Sequence, residues 1–169
     1  MAEVFLSLGS NTARYRHMTI ALDTLAQQFG DLLLSRVYES ESVGFRGSLF
    51  LNMAVGLTTD LPLPALALQL RQIELNNGRQ VGAPKFSPRT LDIDILSYDE
   101  VCGCHDGIEL PRDEILYNAF VLLPLSEIAP DRCHPVDGRK YQELWQAYQS
   151  DQKLWPVPFR WQGRDISAD

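Results

Sequence analysis

Apolar residues along the chain follow two different periods. Val4–Leu8 is a short apolar run ending at Gly9-Ser10-Asn11, the form of a strand entering a turn. From Arg14 to Phe29 the apolar positions Tyr15, Met18, Leu22, Leu25 and Phe29 recur every three or four residues, which predicts an amphipathic helix closed by Gly30. Leu32–Ser40 is β-like, and Glu41–Ser48, with two glycines and no period, reads as a loop. Phe50–Leu57 alternates: Leu51, Met53, Val55 and Leu57 take one face, Phe50, Asn52, Ala54 and Gly56 the other. Pro64 starts a second helix with Leu63, Leu66, Leu70 and Ile73 on one side, ended by Gly78. A polar segment with Gly and Pro, Gln80–Pro88, leads into a last alternating stretch, Leu91-Asp92-Ile93-Asp94-Ile95.

The order strand, helix, strand, strand, helix, strand predicts an α+β, ferredoxin-like βαββαβ fold, an antiparallel sheet with its helices on one face. A C-terminal helical extension follows, with helices near Ala119–Ile128 and Tyr141–Tyr148, and then a tail over residues 155–169 with no period. The length of 169 residues suits one domain over 1–169.

Composition narrows the function. The net charge of −7 speaks against broad nucleic-acid binding. No apolar run reaches the ~20 residues that span a bilayer, and the N-terminus lacks a basic region, so a cytoplasmic protein without a membrane partner is expected. Three cysteines do not suggest a disulfide framework. The spacing of Cys102, Cys104 and His105 is tight for a zinc knuckle and reads better as a reduced-thiol loop.

The chemistry concentrates in SPRTLDIDIL, residues 87–96. On a strand Asp92 and Asp94 face one side, with Cα atoms ~6.5–7 Å apart. A carboxylate pair of this kind suits a hard cation that completes its shell with water and phosphate oxygens. The same pattern also suits a half-exposed strand with polar residues facing water. The preceding segment carries Arg79, Lys85 and Arg89 and no acid, and Arg is a bidentate phosphate binder. If Leu51, Met53 and Val55 lie under the helices, Phe50 and Asn52 share the open face with the aspartates. There an aromatic ring and an amide suit a flat heterocycle.

SPRTLDIDIL resembles the signature of the 6-hydroxymethyl-7,8-dihydropterin pyrophosphokinase family. LSLGSN at 6–11, FLNMAV at 50–55, IELNNGR at 73–79 and AFVLLPLSEIAP at 119–130 agree in order and spacing. The resemblance implies a ferredoxin-like monomer that passes pyrophosphate from ATP to a reduced hydroxymethylpterin, releasing AMP, on the route to folate. It implies that Asp92 and Asp94 hold two Mg²⁺ ions. Arg89 is implied as a catalytic and phosphate-binding residue, with Arg79, Glu74 and Arg112 also on the ATP. Phe50, Asn52, Phe120 and Val43 are implied around the pterin.

The chain departs from the family at several positions. Arg112 stands where the family commonly has His, Asn118 where it has Arg, Val81 where a second Arg is frequent, and Phe86 where Trp is usual. Glu41-Ser42 replaces a frequent Pro pair. Loss of one cation contact slows turnover by about one to two orders of magnitude. The departures therefore imply a weak or substrate-altered enzyme, with a non-catalytic pterin- or nucleotide-binding relative as the alternative.

Overall fold

The computed structural model describes residues 1–40, 49–78 and 91–168. In chain order the elements are β1 (Ala2–Ser10), α1 (Arg14–Phe29), β2 (Leu33–Leu34), β3 (Tyr38–Ser40), β4 (Phe50–Thr59), α2 (Leu63–Asn76), β5 (Asp92–Tyr98), β6 (Gly103–His105) and β7 (Ile108–Leu110). A short 3-10 turn, Asp113–Leu116, then leads to α3 (Ala119–Ile128), α4 (Tyr141–Ala147), β8 (Leu154–Pro156), β9 (Arg160–Trp161) and β10 (Arg164–Asp165).

The main sheet runs β5-β1-β4-β3-β8, with β2 also paired to β4, and every pairing in it is antiparallel. Its first four positions are the ferredoxin-like order, in which the first and third strands lie in the centre. The predicted alternation is what builds the core. Val4, Leu6 and Leu8 of β1, Leu51, Met53 and Val55 of β4, and Ile93 and Ile95 of β5 are all buried on one face. Met18, Leu22 and Leu25 of α1 and Leu63, Leu66, Leu70 and Ile73 of α2 cover them. Gly30 ends α1 with φ +83°, a left-handed backbone open to glycine, and its N–H bonds Ala26 O at 2.9 Å.

The other face carries a second, smaller core. Phe5 of β1 and Leu96 of β5 are buried beneath Val121, Leu122 and Leu125 of α3 and Tyr141 and Leu144 of α4. A bulge sets its edge. The β1–β5 register shifts between Phe5 and Leu6, so that Phe5 pairs with Ser97 and Leu6 with Ile95. Leu96 is the extra residue, and it faces α3 rather than continuing the pairing. The helical extension thus covers part of the face predicted to be open, and leaves the Asp92–Asp94 end of β5 half-exposed.

The tail differs from its expectation. Residues 155–169 were expected to be irregular, yet β8 adds a strand beside β3, and β9 and β10 form a small hairpin. Phe159 and Trp161 are buried. The Phe159 ring stacks on Tyr15 at 5.6 Å, and the Trp161 indole N–H donates to Asp23 at 2.9 Å. Tyr15, predicted on the core face of α1, therefore sits on the helix flank under the tail. Strands of two or three residues are too short to show a period, and β8 takes its partner from far away in the chain. No helix among the described residues is long and apolar enough to cross a membrane.

Candidate active site

Register places the polar side chains. Tyr38 pairs with Asn52, Asn52 with Gly9, and Gly9 with Asp92, so one row crosses four strands on the α3 side of the sheet. The next row holds Ala54, Ser7 and Asp94. Asn52 and Asp92 are therefore two strand spacings apart, roughly 9–10 Å, across a position with no side chain. A Cβ on Gly9 would lie 3.5 Å from Asn52 Oδ1 and 3.9 Å from the Phe50 ring. The glycine forms the floor of a slot between the amide and the acid. Asn52 is oriented by donating its Nδ2 to Ser40 Oγ at 2.7 Å.

Phe50 opens β4 and Phe120 lies in the first turn of α3; both are half-buried. Since α3 packs on β4, the two rings belong to the same side of the sheet. The α3 helix is tied down at its far end. Glu127 accepts from the Arg36 backbone N–H and from Arg36 Nε, both at 3.0 Å, and from the Tyr38 hydroxyl. Burial, and then the bond to Glu127, push the Tyr38 hydroxyl well above its ordinary pKa, so it stays protonated and donating.

On the other flank of β5 a cleft of about 420 Å³ lies between α2 and the β7 region. Leu70, Arg71 and Glu74 of α2, Asp94 and Ile95 of β5, Ile108 and Arg112 are among the residues that line it. Glu74 is buried, and its Oε2 accepts the Ile93 N–H at 2.8 Å, fastening the Asp strand to α2. Arg112 Nη2 stands 3.9 Å from Asp94 Oδ2, and Arg112 Nε donates to Glu114 at 2.9 Å. Burial opposes the charge on Arg112, but Asp94 and then Glu114 outweigh it, and the guanidinium pKa lies above its usual value.

Asp92, Asp94, Phe50, Asn52 and Phe120 thus lie on one side of the sheet, with Glu74 and Arg112 at the adjoining cleft. Arg79, Arg89 and Val43 lie outside the described residues, as do Val81 and Phe86. Asn118 is the N-cap of α3, its Oδ1 accepting the Phe120 N–H at 3.1 Å. Three contributors went unassigned in the sequence: Gly9, Ser40 and Glu114. Gly9 had a signal, since a glycine inside a strand marks close approach of a neighbour or ligand. Ser40 and Glu114 act through contacts that no spacing encodes. Cys102, Cys104 and Cys133 are exposed free thiols, and no group of three or more His, Cys, Asp or Glu able to hold a metal occurs among the described residues.

A family model described as 7,8-dihydro-6-hydroxymethylpterin-pyrophosphokinase matches residues 5–130. The 2-amino-4-hydroxy-6-hydroxymethyldihydropteridine pyrophosphokinase of Aquifex aeolicus is 32% identical over 146 residues, covering 85% of this chain and 91% of that protein. The enzyme of the same name from Porphyromonas gingivalis is 37% identical over 137 residues, covering 77% and 92%. A crystal structure of wild-type HPPK-DHPS from Plasmodium falciparum superposes with a TM-score of 0.67 at 13% identity, which bears on the fold alone. That superposition covers 88% of this chain and 44% of the Plasmodium chain, so this chain spans less than half of the solved protein it matches. The matched span begins in β1 and ends just after α3, and so takes in the slot, the acid pair and the cleft: the chain belongs to the 7,8-dihydro-6-hydroxymethylpterin-pyrophosphokinase family.

Proposed function

We propose that this chain transfers the pyrophosphoryl group of ATP to the hydroxymethyl oxygen of 6-hydroxymethyl-7,8-dihydropterin and releases AMP, a step toward folate. The observation that carries the reading is the row Asn52–Gly9–Asp92 with Asp94 beside it. It sets a heterocycle-sized slot against an acid pair, and Asp94 also borders a cleft on its other side. In the slot, Asn52 meets the polar edge of the pterin, and Phe50 and Phe120 supply aromatic faces. The cleft between Arg71, Ile108 and Arg112 takes the nucleotide. The hydroxymethyl group then points along the acid row toward the phosphates, and reaction is a matter of alignment. A bond forms from the hydroxymethyl oxygen to the β-phosphorus while the bond from that phosphorus to the AMP oxygen breaks.

The donor set suits magnesium. Two carboxylates on one strand face, with no further acid, His or Cys converging among the described residues, match an ion that takes one or two carboxylates and fills its shell from water and phosphate. Asp92 and Asp94 are the residues that would hold it, two ions in all. When bound, magnesium supplies neutralisation of the charge on the transferred group. Arg112 adds a fixed cation at the cleft edge, and Arg79 and Arg89 are proposed on the phosphates from their place in the family pattern. A monomer is proposed from the family resemblance.

Incubation of the protein with Mg-ATP and the reduced hydroxymethylpterin tests the reading. AMP should form only when the pterin is present and should fall about a thousandfold in Asp92→Asn. Pterin binding without AMP at any enzyme concentration rejects the transfer.

A further inference from the structure

Arg112, beside the acid pair, and Asn118, at the start of α3, are joined through one acid. Arg112 Nε donates to Glu114 Oε1 at 2.9 Å, and Asn118 Nδ2 donates to Glu114 Oε2 at 3.0 Å. Each end of this bridge reaches a different half of the site. Arg112 lies 3.9 Å from Asp94 at the cleft. Asn118 Oδ1 accepts the N–H of Phe120 at 3.1 Å, at the start of the helix that carries that ring. Gln152 completes the same helix end, with its Oε1 2.7 Å from the Ala119 nitrogen.

Resting on the reading above, we propose that Glu114 is a positioning residue that ties the nucleotide side of the site to the pterin side. The polarity of the chain of bonds is the reason. A guanidinium only donates and a carboxylate only accepts, so Arg112 and Glu114 meet in one sense. The second carboxylate oxygen must then meet the NH₂ end of Asn118, which turns the amide oxygen toward the Phe120 N–H. A flipped amide would set acceptor against acceptor at Glu114 and donor against donor at Phe120. The orientation of the α3 cap is thereby dictated by an acid whose other oxygen is occupied by Arg112. Holding Nε on Glu114 also removes the side-on fork, through Nε and Nη2, by which the guanidinium could close on Asp94. One side chain therefore sets both the distance of the cation from the acid pair and the seat of Phe120. Neither Arg112 nor Asn118 accomplishes this alone.

The test uses the full chain labelled with ¹⁵N, following the Arg112 Nε–H and Phe120 amide signals beside the AMP assay. Asn118→Ala should shift the Arg112 Nε–H signal and speed its exchange, since among the described residues the side chain of Glu114 is what bridges the two side chains. Glu114→Ala should disturb both signals and raise KM for ATP and for the pterin about tenfold each. Glu114→Gln alone sets amide against amide at Asn118. Adding Asn118→Asp restores donor to acceptor along the whole chain and should return both KM values to within about threefold of wild type. This rescue separates positioning from a general loss of stability. An Arg112 signal unmoved by Asn118→Ala overturns the proposal, as does a Glu114→Ala variant with only one KM changed, or neither. If the wild type forms no AMP, the reading of function fails, and the two signals decide the bridge by themselves.

Discussion

The two faces of the central sheet use the same three strands for opposite purposes. Beneath α1 and α2, Val4, Leu6, Leu8, Leu51, Met53, Val55, Ile93 and Ile95 make an unbroken apolar layer. Turned through one residue, β1, β4 and β5 present Ser7, Gly9, Asn52, Asp92 and Asp94. Yet the second face is not simply the wet one: its other half, around Phe5 and Leu96, is as dry as the first. The difference teaches that alternation decides which residues may be polar, while the placing of α3 and α4 decides which of those positions a ligand can reach.

Neutralising the acids should separate the two faces most strongly. Asp94→Asn or Asp92→Asn should cut AMP release about a thousandfold. Because both side chains are half-exposed, the thermal midpoint in circular dichroism should move by no more than about 2 °C. Unfolding of either variant would contradict an accessible acid pair.

Truncation on the other face should do the reverse. Leu22 and Met53 are fully buried, so Leu22→Ala or Met53→Ala should cost about 2–5 kcal/mol in urea unfolding. Well below the midpoint, KM for both substrates should stay at the wild-type value. A large KM change would mean that the apolar face shapes the site directly.

Gly9→Val probes the boundary between the two. A Cβ at Gly9 meets nothing closer than 3.5 Å, and a β-branched residue suits a strand, so stability should hold or rise. The added methyls stand in the slot, and pterin KM should rise about tenfold while ATP KM stays unchanged. An unaltered pterin KM would place the heterocycle elsewhere.

The smallest effect concerns the cover of the second face. His134 is buried against Tyr141, its Nδ1 accepting the N–H groups of Val136 and Asp137. Its Nε2 is buried and has no hydrogen-bond partner among the described residues. Burial lowers its pKa, only partly offset by Asp137. Since the folded value lies below the unfolded one, the unfolded chain binds more protons in that range. The contribution of neutral His134 is therefore complete above the ordinary histidine pKa of about 6.5 and is lost as pH falls. The fall in urea midpoint from pH 7.5 to 5 should be smaller in His134→Phe than in wild type; an identical fall would remove His134 as its cause.

Much of this was legible beforehand, and the legible parts share a cause. The faces of β4 and β5 followed from strict alternation, and the Leu63–Ile73 face of α2 from helical spacing. Asn52 and the aspartates came out on one side for the same reason. The bulge at Leu96 was hidden, because it shows only when β5 is laid beside β1. The tail was hidden because it docks on distant elements, β8 on β3 and the Phe159 ring on Tyr15. Asn118 looked like a lost charge until α3 gave it a helix end to cap.

The periods counted along one chain fixed the βαββαβ order, the apolar layer and the side on which the acids lie. Tertiary structure alone decided how far α3 and α4 extend over the second face, what Gly9 leaves open, and that Glu114 joins Arg112 to Asn118. Those depend on how separate elements meet, and the meeting is settled by packing and by the pairing of donors with acceptors.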